Sequence, residues 1–105
     1  SEQNISSISK IEKKYNVLCG LSDHTLGYIA PVSAVCVGAK LIEKHFNLRK
    51  NKSPDSFFST NEKDFKIMSD NIRLAESTFG NGIIDISKSS KENVNTRRSI
   101  YVAKT

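Results

Sequence analysis

A short apolar strand, a short apolar helix and a second strand follow one another in this chain, and this order most constrains the fold. The run "VLCGL", residues 17–21, is typical of a strand buried on both faces. Residues 30–40 predict a nearly all-apolar helix, with Pro31 at its first position and Gly38 at its end. The run "LIEKHF", residues 41–46, predicts the second strand. A right-handed βαβ crossover with parallel strands is therefore expected.

Amphipathic helices are predicted on either side of this unit. In residues 4–15 the apolar side chains recur at helical spacing, and Asn16 follows as a stop. Ser59 and Glu62 are spaced as a capping box for a later helix that ends at Gly80. The apolar face of that helix comprises Phe65, Met68, Ile72, Ala75 and Phe79. Three helices and two strands are too few to cover both faces of a parallel sheet, so we expect the chain to belong to a larger α/β fold.

Composition is typical of a globular protein, and the charge leaves two interpretations. The 105 residues are 37% hydrophobic and 26% charged, with a net charge of +5. Most lysines alternate with acidic residues, which favours a solvated surface. The alternative is a non-enzymatic basic domain that binds anions or nucleic acid.

Cysteine placement and the lack of long apolar runs indicate the compartment. Cys19 and Cys36 lie inside apolar runs, which favours buried free thiols in a reducing environment over a disulfide. No apolar run approaches the roughly 20 residues of a membrane helix, and the first residues resemble no signal peptide. We therefore expect a cytoplasmic location.

Polar side chains stand at the ends of both predicted strands. Ser22 and His24 share one strand face, and Glu43 and His45 do so on the second strand. If the strands are parallel neighbours, the two histidines lie side by side at the carboxyl ends, where ligands of α/β folds bind. Imidazoles are common ligands of divalent metals such as Mn²⁺ or Zn²⁺. The alternative is that each histidine is a hydrogen-bonded residue at the end of a strand.

Other polar residues near these ends have both ordinary and functional interpretations. Ser22 is either an anion contact or a helix-entry cap, whereas Asp23, of opposite parity, is expected to be a structural hydrogen-bond acceptor. Asp55 follows Pro54 and is normally a turn residue. Arg97 and Arg98 are either anion ligands or a solvated pair at the start of an edge strand.

These motifs together carry a family resemblance. The stretch "GLSDHTLGYIAPVSAVCVGAKLIEKHF", with "PDSFFS" and "RRSIYVAK" after it, resembles the sialic acid synthase family, the phosphoenolpyruvate-dependent synthases of nonulosonic acids. Within the family, "PDSFFS" is closer to the form of pseudaminic acid synthases than to that of N-acetylneuraminate and legionaminate synthases. The resemblance therefore favours a 2,4-diacetamido-2,4,6-trideoxyhexose as the sugar, and the sugar of an N-acetylneuraminate or legionaminate synthase is the alternative.

The resemblance also implies an architecture. Residues 1–80 would be the C-terminal segment of a TIM (β/α)8 barrel, namely the last helix of unit 6 and βα units 7 and 8. Residues 81–96 would be a linker, and residues 97–105 the first strand of an antifreeze-like (SAF) domain. Family members of this kind form domain-swapped homodimers. The chain by itself is then expected to be inactive, because much of the family's site lies outside these residues.

Roles for individual residues follow from the same resemblance. It implies a transferase that forms a carbon–carbon bond between phosphoenolpyruvate and an N-acetylated amino sugar and releases phosphate. His24 and His45 would be ligands of a catalytic Mn²⁺, with Mg²⁺ or Co²⁺ as alternatives. Ser22 would contact the phosphate of phosphoenolpyruvate, and Asp55 and the catalytic Glu43 would hold the sugar. Neither nucleic acid nor a membrane is an expected partner.

Overall fold

Helices and strands alternate along most of the chain. The computed structural model describes residues 3–48 and 54–94. Its elements are α1 (Ser7–Tyr15), β1 (Gly20–Asp23), α2 (Ile29–Cys36), β2 (Leu41–Lys44), α3 (Glu62–Thr78) and α4 (Lys88–Lys91). The first five elements confirm the predicted order. The strand predicted within 97–105, including Arg97 and Arg98, lies outside the described residues.

The two strands pair in parallel, as predicted. Their register places Ser22 opposite Glu43 and Asp23 opposite Lys44. At the start of the pair, a Cβ atom on Gly20 would lie 2.7 Å from the carbonyl oxygen of Leu41. A side chain at residue 20 would therefore push the strands apart, so glycine allows this close approach.

Strand β1 begins three residues later than the prediction of 17–21. Leu18 is 82% exposed and lies before the first paired residue. The apolar run alone did not fix the start, because strand bounds depend on where a partner backbone lies within reach, and β2 begins opposite Gly20. Burial on both faces was also wrong for the described part of the chain, since only Asp23 is fully buried in β1.

Strand β2 ends at Lys44, two residues earlier than predicted. The backbone there changes partner from β1 to residue 60. The Thr60 N–H donates to the His45 carbonyl at 2.8 Å, and the Asn47 N–H donates to the Thr60 carbonyl at 2.9 Å. Phe46 thereby forms an isolated parallel bridge with Thr60. Thr60 therefore lies beside the residues that directly follow β2.

Helix α2 packs against β1 and α3. Pro31 is its third residue, not its first, which is tolerated because amides throughout the first turn lack intrahelical acceptors. Gly38, at φ 108°, ends the helix as predicted. The Ala39 N–H donates to the Ala34 carbonyl at 2.9 Å, and the Gly38 N–H donates to the Val35 carbonyl at 3.0 Å. These two hydrogen bonds form a Schellman motif.

Helix α1 supplies part of the small core. Ile8 packs with the buried Ala34 and Ala39, and further apolar side chains surround them, namely Ile5, Cys19, Leu21 and Ile42. The helix starts at Ser7, where the predicted start was residue 4, because the Ser7 N–H closes a turn onto the Asn4 carbonyl at 2.9 Å. Asn16, at φ 51°, ends it as predicted.

Helix α3 begins with a different cap from the one predicted. Asn61 accepts a hydrogen bond from the Asp64 N–H at 2.9 Å, whereas the Ser59 hydroxyl donates to the Asp55 carbonyl at 2.7 Å. The capping box of Ser59 and Glu62 was therefore wrong, because the serine is engaged in the preceding turn. Gly80, at φ 60°, follows the helix, as the predicted stop requires.

The apolar face of α3 lies over a groove of about 480 Å³. Met68 is buried, and the groove between α3 and β2 is lined further by Phe65, Ile72 and Phe79. Four of the five residues assigned to this face are thus placed together as predicted.

The last described segment contains no strand and one short helix. Residues 81–86 have neither helix nor strand, and α4 is a single turn in which Ser87 accepts the Ser90 N–H at 3.2 Å. The linker role of residues 81–96 stays a prediction. Cys19 and Cys36 are free, as predicted, although half-buried. Within residues 3–48 and 54–94, no helix is long and apolar enough to cross a membrane.

Large apolar side chains remain exposed on several elements, among them Leu18, Ile29, Leu41 and Leu74. We expect the 105-residue chain to bind an apolar dye and to self-associate, because such surface attracts both. Dye fluorescence and light scattering measure this. Leu18→Ser with Leu41→Ser should lower the dye signal without changing the far-UV circular dichroism. A monomer that binds no dye and melts cooperatively would contradict the expectation.

Candidate active site

Two histidines lie side by side just beyond the ends of the strands. The residue pairs Ser22 with Glu43 and Asp23 with Lys44 are in register, so His24 and His45 emerge together. Their ring centroids are 5.0 Å apart, with the rings nearly perpendicular at 86°. The predicted proximity of the two histidines is therefore confirmed.

The ring of Phe58 lies against both imidazoles. It stacks on His24 with centroids 4.9 Å apart and an interplanar angle of 20°. It meets His45 edge-on, with centroids 5.0 Å apart. Phe58 is buried, whereas its neighbour Phe57 is exposed. Sequence reasoning missed this residue, although two adjacent aromatic side chains in a polar loop were a signal that one of them is covered.

Asp55 serves both as a turn residue and as a neighbour of the site. Its carbonyl accepts the Ser59 N–H at 3.1 Å, which fits its predicted role in a turn. Its carboxylate also lies 3.8 Å from Nδ1 of His45. This distance is too long for a hydrogen bond but allows an electrostatic interaction, so the carboxylate can orient the imidazole. The pairing of Thr60 with residues 45–47 brings this turn to the histidines.

Ser22 and Glu43 precede the histidines on the same faces of their strands. They are register partners and both are exposed. Alternation along each strand places them on the side of the sheet that carries the imidazoles. The structure thus places His24 beside His45, Asp55 near His45, and Ser22 opposite Glu43 in the strands that lead to the histidines. The chemical roles assigned to them stay predictions.

A buried ion pair occupies the opposite face of the strands. Nζ of Lys44 lies 2.7 Å from Oδ2 of Asp23, and the two side chains are 2% and 0% exposed. The Thr25 N–H donates to Asp23 Oδ1 at 2.9 Å, and Lys44 Nζ also donates to the Thr25 carbonyl. Asp23 is therefore the structural acceptor that parity predicted. Lys44 was missed, because an alternating strand with charged residues gave no sign that this lysine is buried.

The metal-binding role predicted for the two histidines is not tested by the described residues. Nowhere in the described ranges do three or more histidine, cysteine or acidic side chains form a group that could hold a metal ion. Two adjacent imidazoles nevertheless match borderline divalent metals, whose other positions water, substrate or further protein groups can fill. The assignment of His24 and His45 as metal ligands stays a prediction.

Charges elsewhere support the interpretation of a mixed, solvated surface. On α3, Lys66 pairs with Asp70 and Arg73 with Glu76, at 2.5 and 2.7 Å. Both pairs are exposed and join side chains of opposite sign within the helix. They do not test the alternative of a basic anion-binding domain, which stays a prediction.

Comparison with known proteins decides the family. Residues 1–84 match the NeuB family. The chain belongs to this family. A pseudaminic acid synthase of Campylobacter jejuni is 44% identical over 104 residues, which are 98% of this chain and 30% of that protein. An N,N'-diacetyllegionaminic acid synthase of the same species is 37% identical over 105 residues, 99% of this chain and 31% of that protein.

A solved structure of the same kind shares the fold. The N-acetylneuraminic acid (sialic acid) synthetase of Leptospira borgpetersenii, crystallised with citrate, matches with a TM-score of 0.75 and 28% identity, over 90% of this chain and 33% of that one. This NeuB-family chain therefore has an α/β fold similar to that of a sialic acid synthetase. It spans about a third of the length of the relatives it matches.

The role of Phe58 in holding the site together can be tested in a chimera. In this chimera the chain replaces the matching segment of the Campylobacter pseudaminic acid synthase, which is 44% identical. Phe58→Ala should lower the free energy of unfolding by about 3 kcal/mol, because it empties a buried ring position. The matched control Phe57→Ala removes a ring that is 75% exposed and should change it by less than about 0.5 kcal/mol. Urea unfolding measures both, and equal effects would contradict the packing described.

Proposed function

We propose that the chain contributes the last part of the catalytic barrel of a phosphoenolpyruvate-dependent nonulosonic acid synthase. The observation that carries the proposal is the pair of adjacent imidazoles, 5.0 Å apart, with Ser22, Glu43 and Asp55 around them. Membership of the NeuB family and the names of its relatives support it. Within this proposal, residues 1–80 end the barrel, 81–96 link it to an antifreeze-like domain that starts at 97–105, and the whole protein is a domain-swapped homodimer.

The reaction we propose joins two small molecules by a new carbon–carbon bond. C3 of phosphoenolpyruvate bonds to the aldehyde carbon of an open-chain N-acetylated amino sugar, water adds at C2, and inorganic phosphate leaves. The 44% identity to a pseudaminic acid synthase favours a 2,4-diacetamido-2,4,6-trideoxyhexose as the sugar.

A divalent cation, Mn²⁺ in our proposal, fits the donors present. His24 and His45 would each offer one ring nitrogen. Because Asp55 lies 3.8 Å from Nδ1 of His45, this carboxylate would leave Nε2 of that ring for the ion. When bound, such an ion supplies Lewis-acid polarisation of a carbonyl oxygen and orients the groups around it.

The remaining side chains would bind and orient the two substrates. Ser22 is exposed beside His24 and has a hydroxyl that can donate to a phosphate oxygen. Glu43 is exposed beside Ser22, and its carboxylate can accept hydrogen bonds from sugar hydroxyl or amide groups. The exposed carboxylate of Asp55, 3.8 Å from Nδ1 of His45, can accept such hydrogen bonds as well. Since the described residues hold only part of such a site, we propose that the chain alone does not turn over.

The histidines give the sharpest test. In the chimera, His24→Ala and His45→Ala should each reduce Mn²⁺-dependent phosphate release by at least about 100-fold, because each removes one ligand of the ion. Chelation should abolish activity in the parent chimera, and added Mn²⁺ should restore it. Phosphate release is measured with saturating phosphoenolpyruvate and sugar.

The exposed Arg73 on α3 serves as the matched control, because it lies outside the site. Arg73→Ala should keep the activity of the parent chimera. Normal phosphate release by either histidine variant would sink the proposal, and so would a folded parent chimera that releases no phosphate.

The roles proposed for Ser22 and Asp55 predict that substitutions at these residues raise KM for different substrates. Ser22→Ala should raise KM for phosphoenolpyruvate about tenfold and leave KM for the sugar unchanged, since it removes one hydrogen bond to phosphate. Asp55→Asn should raise KM for the sugar instead. Initial rates with each substrate varied in turn measure both effects. The assignment is wrong if the two variants change the same KM.

A further inference from the structure

Burial of the ion pair between Asp23 and Lys44 costs free energy, so a contribution to stability is not a sufficient reason for its presence. Their side chains are 0% and 2% exposed and lie 2.7 Å apart. Removing two charges from water costs free energy, and their mutual attraction often does no more than offset this cost. Well-packed apolar side chains frequently give a protein equal stability. What the pair does beyond packing is visible in its other contacts.

Both contacts beyond the pair go to the backbone of Thr25. Asp23 Oδ1 accepts the Thr25 N–H at 2.9 Å, and Lys44 Nζ donates to the Thr25 carbonyl. The buried Thr25 hydroxyl has no hydrogen-bond partner among the residues that the structure describes, so backbone contacts and not the side chain hold this residue. Both neighbours of His24 are thereby fixed, although His24 itself lies beyond the end of β1.

The same pair also fixes the second histidine. Lys44 is the last residue of β2 and directly precedes His45. On its other side, the His45 carbonyl accepts the Thr60 N–H at 2.8 Å. One buried ion pair therefore ties the backbone at His24 to the backbone at His45 across the strands.

We propose that Asp23, Lys44 and the Thr25 backbone form a clamp that sets the separation of His24 and His45 for a shared divalent cation. The clamp comprises positioning residues only, because Asp23 and Lys44 lie on the face of the strands opposite to the imidazoles. Metal ligands must be held within about 0.5 Å of their productive places. The clamp provides this restraint at a position that strand pairing no longer covers. This inference rests on the metal site of the proposed function.

A double substitution separates positioning from stability. In the chimera that carries the full chain, Asp23→Leu with Lys44→Met replaces the pair by apolar side chains of similar size, which keeps the interior filled. The apolar pair cannot make the two hydrogen bonds to the Thr25 backbone. We expect a melting temperature close to that of the parent but Mn²⁺ affinity lowered about 10- to 100-fold, the range typical of lost support around metal ligands. Electron paramagnetic resonance of free Mn²⁺ measures the affinity.

The exposed ion pair of Lys66 and Asp70 on α3 is the matched control. Lys66→Met with Asp70→Leu should change neither the melting temperature nor the affinity. A clamp variant that folds and binds Mn²⁺ as tightly as the parent overturns the clamp. If His24→Ala also leaves Mn²⁺ binding unchanged, the proposed metal site is what fails.

A measurement without metal or substitution tests the clamp independently. The Thr25 amide in the metal-free parent should exchange with solvent at least about 100-fold more slowly than the amide of the exposed Leu26, because the clamp holds it. Hydrogen exchange followed by nuclear magnetic resonance compares the two. Equally fast exchange overturns the clamp even where the double variant fails to fold.

Discussion

The parallel register of β1 and β2 is the constraint on which the rest of the described structure depends. By pairing Ser22 with Glu43 and Asp23 with Lys44, it decides which side chains share a face. A shift of one residue in either strand would exchange the two faces of that strand. The exposed face carries the candidate site, and the opposite face carries the buried ion pair. Both sets of side chains therefore depend on the same few backbone hydrogen bonds.

Residues 54–60 bring an aromatic ring and a carboxylate to the two histidines, because Thr60 pairs with the backbone that follows β2. Residue 60 pairs beside residues 45–47, and the turn from Asp55 to Ser59 lies between them. This geometry leaves the ring of Phe58 against both imidazoles and the Asp55 carboxylate near one of them. An aromatic ring excludes water on one side of the histidines, which strengthens any electrostatic interaction made there.

Sequence patterns predicted the proximity of the two histidines better than they predicted the bounds of the elements. Parity along two parallel strands was sufficient to bring the histidines together, because that argument depends only on strand direction and period. The start of β1 was wrong because it depends on where Leu41 begins to pair, which apolar character at residues 17–18 does not encode. The choice of Asn61 over Ser59 as the cap depended on a turn whose hydrogen bonds involve Asp55. Packing of Phe58 likewise required the loop path.

Burial of Lys44 shows why charge patterns are poor guides at such a site. On a strand with exposed neighbours, a lysine is ordinarily solvated. Here Asp23 stands opposite it, and the turn after β1 presents the Thr25 carbonyl to the same ammonium group. The lysine therefore has two acceptors, and the aspartate has two donors, in a place closed to water. An arrangement of this kind is geometrically more demanding than apolar packing, because each charge tolerates only a narrow range of positions. Because the charges tolerate so few positions, the buried ion pair is suited to holding His24 and His45 at a fixed separation.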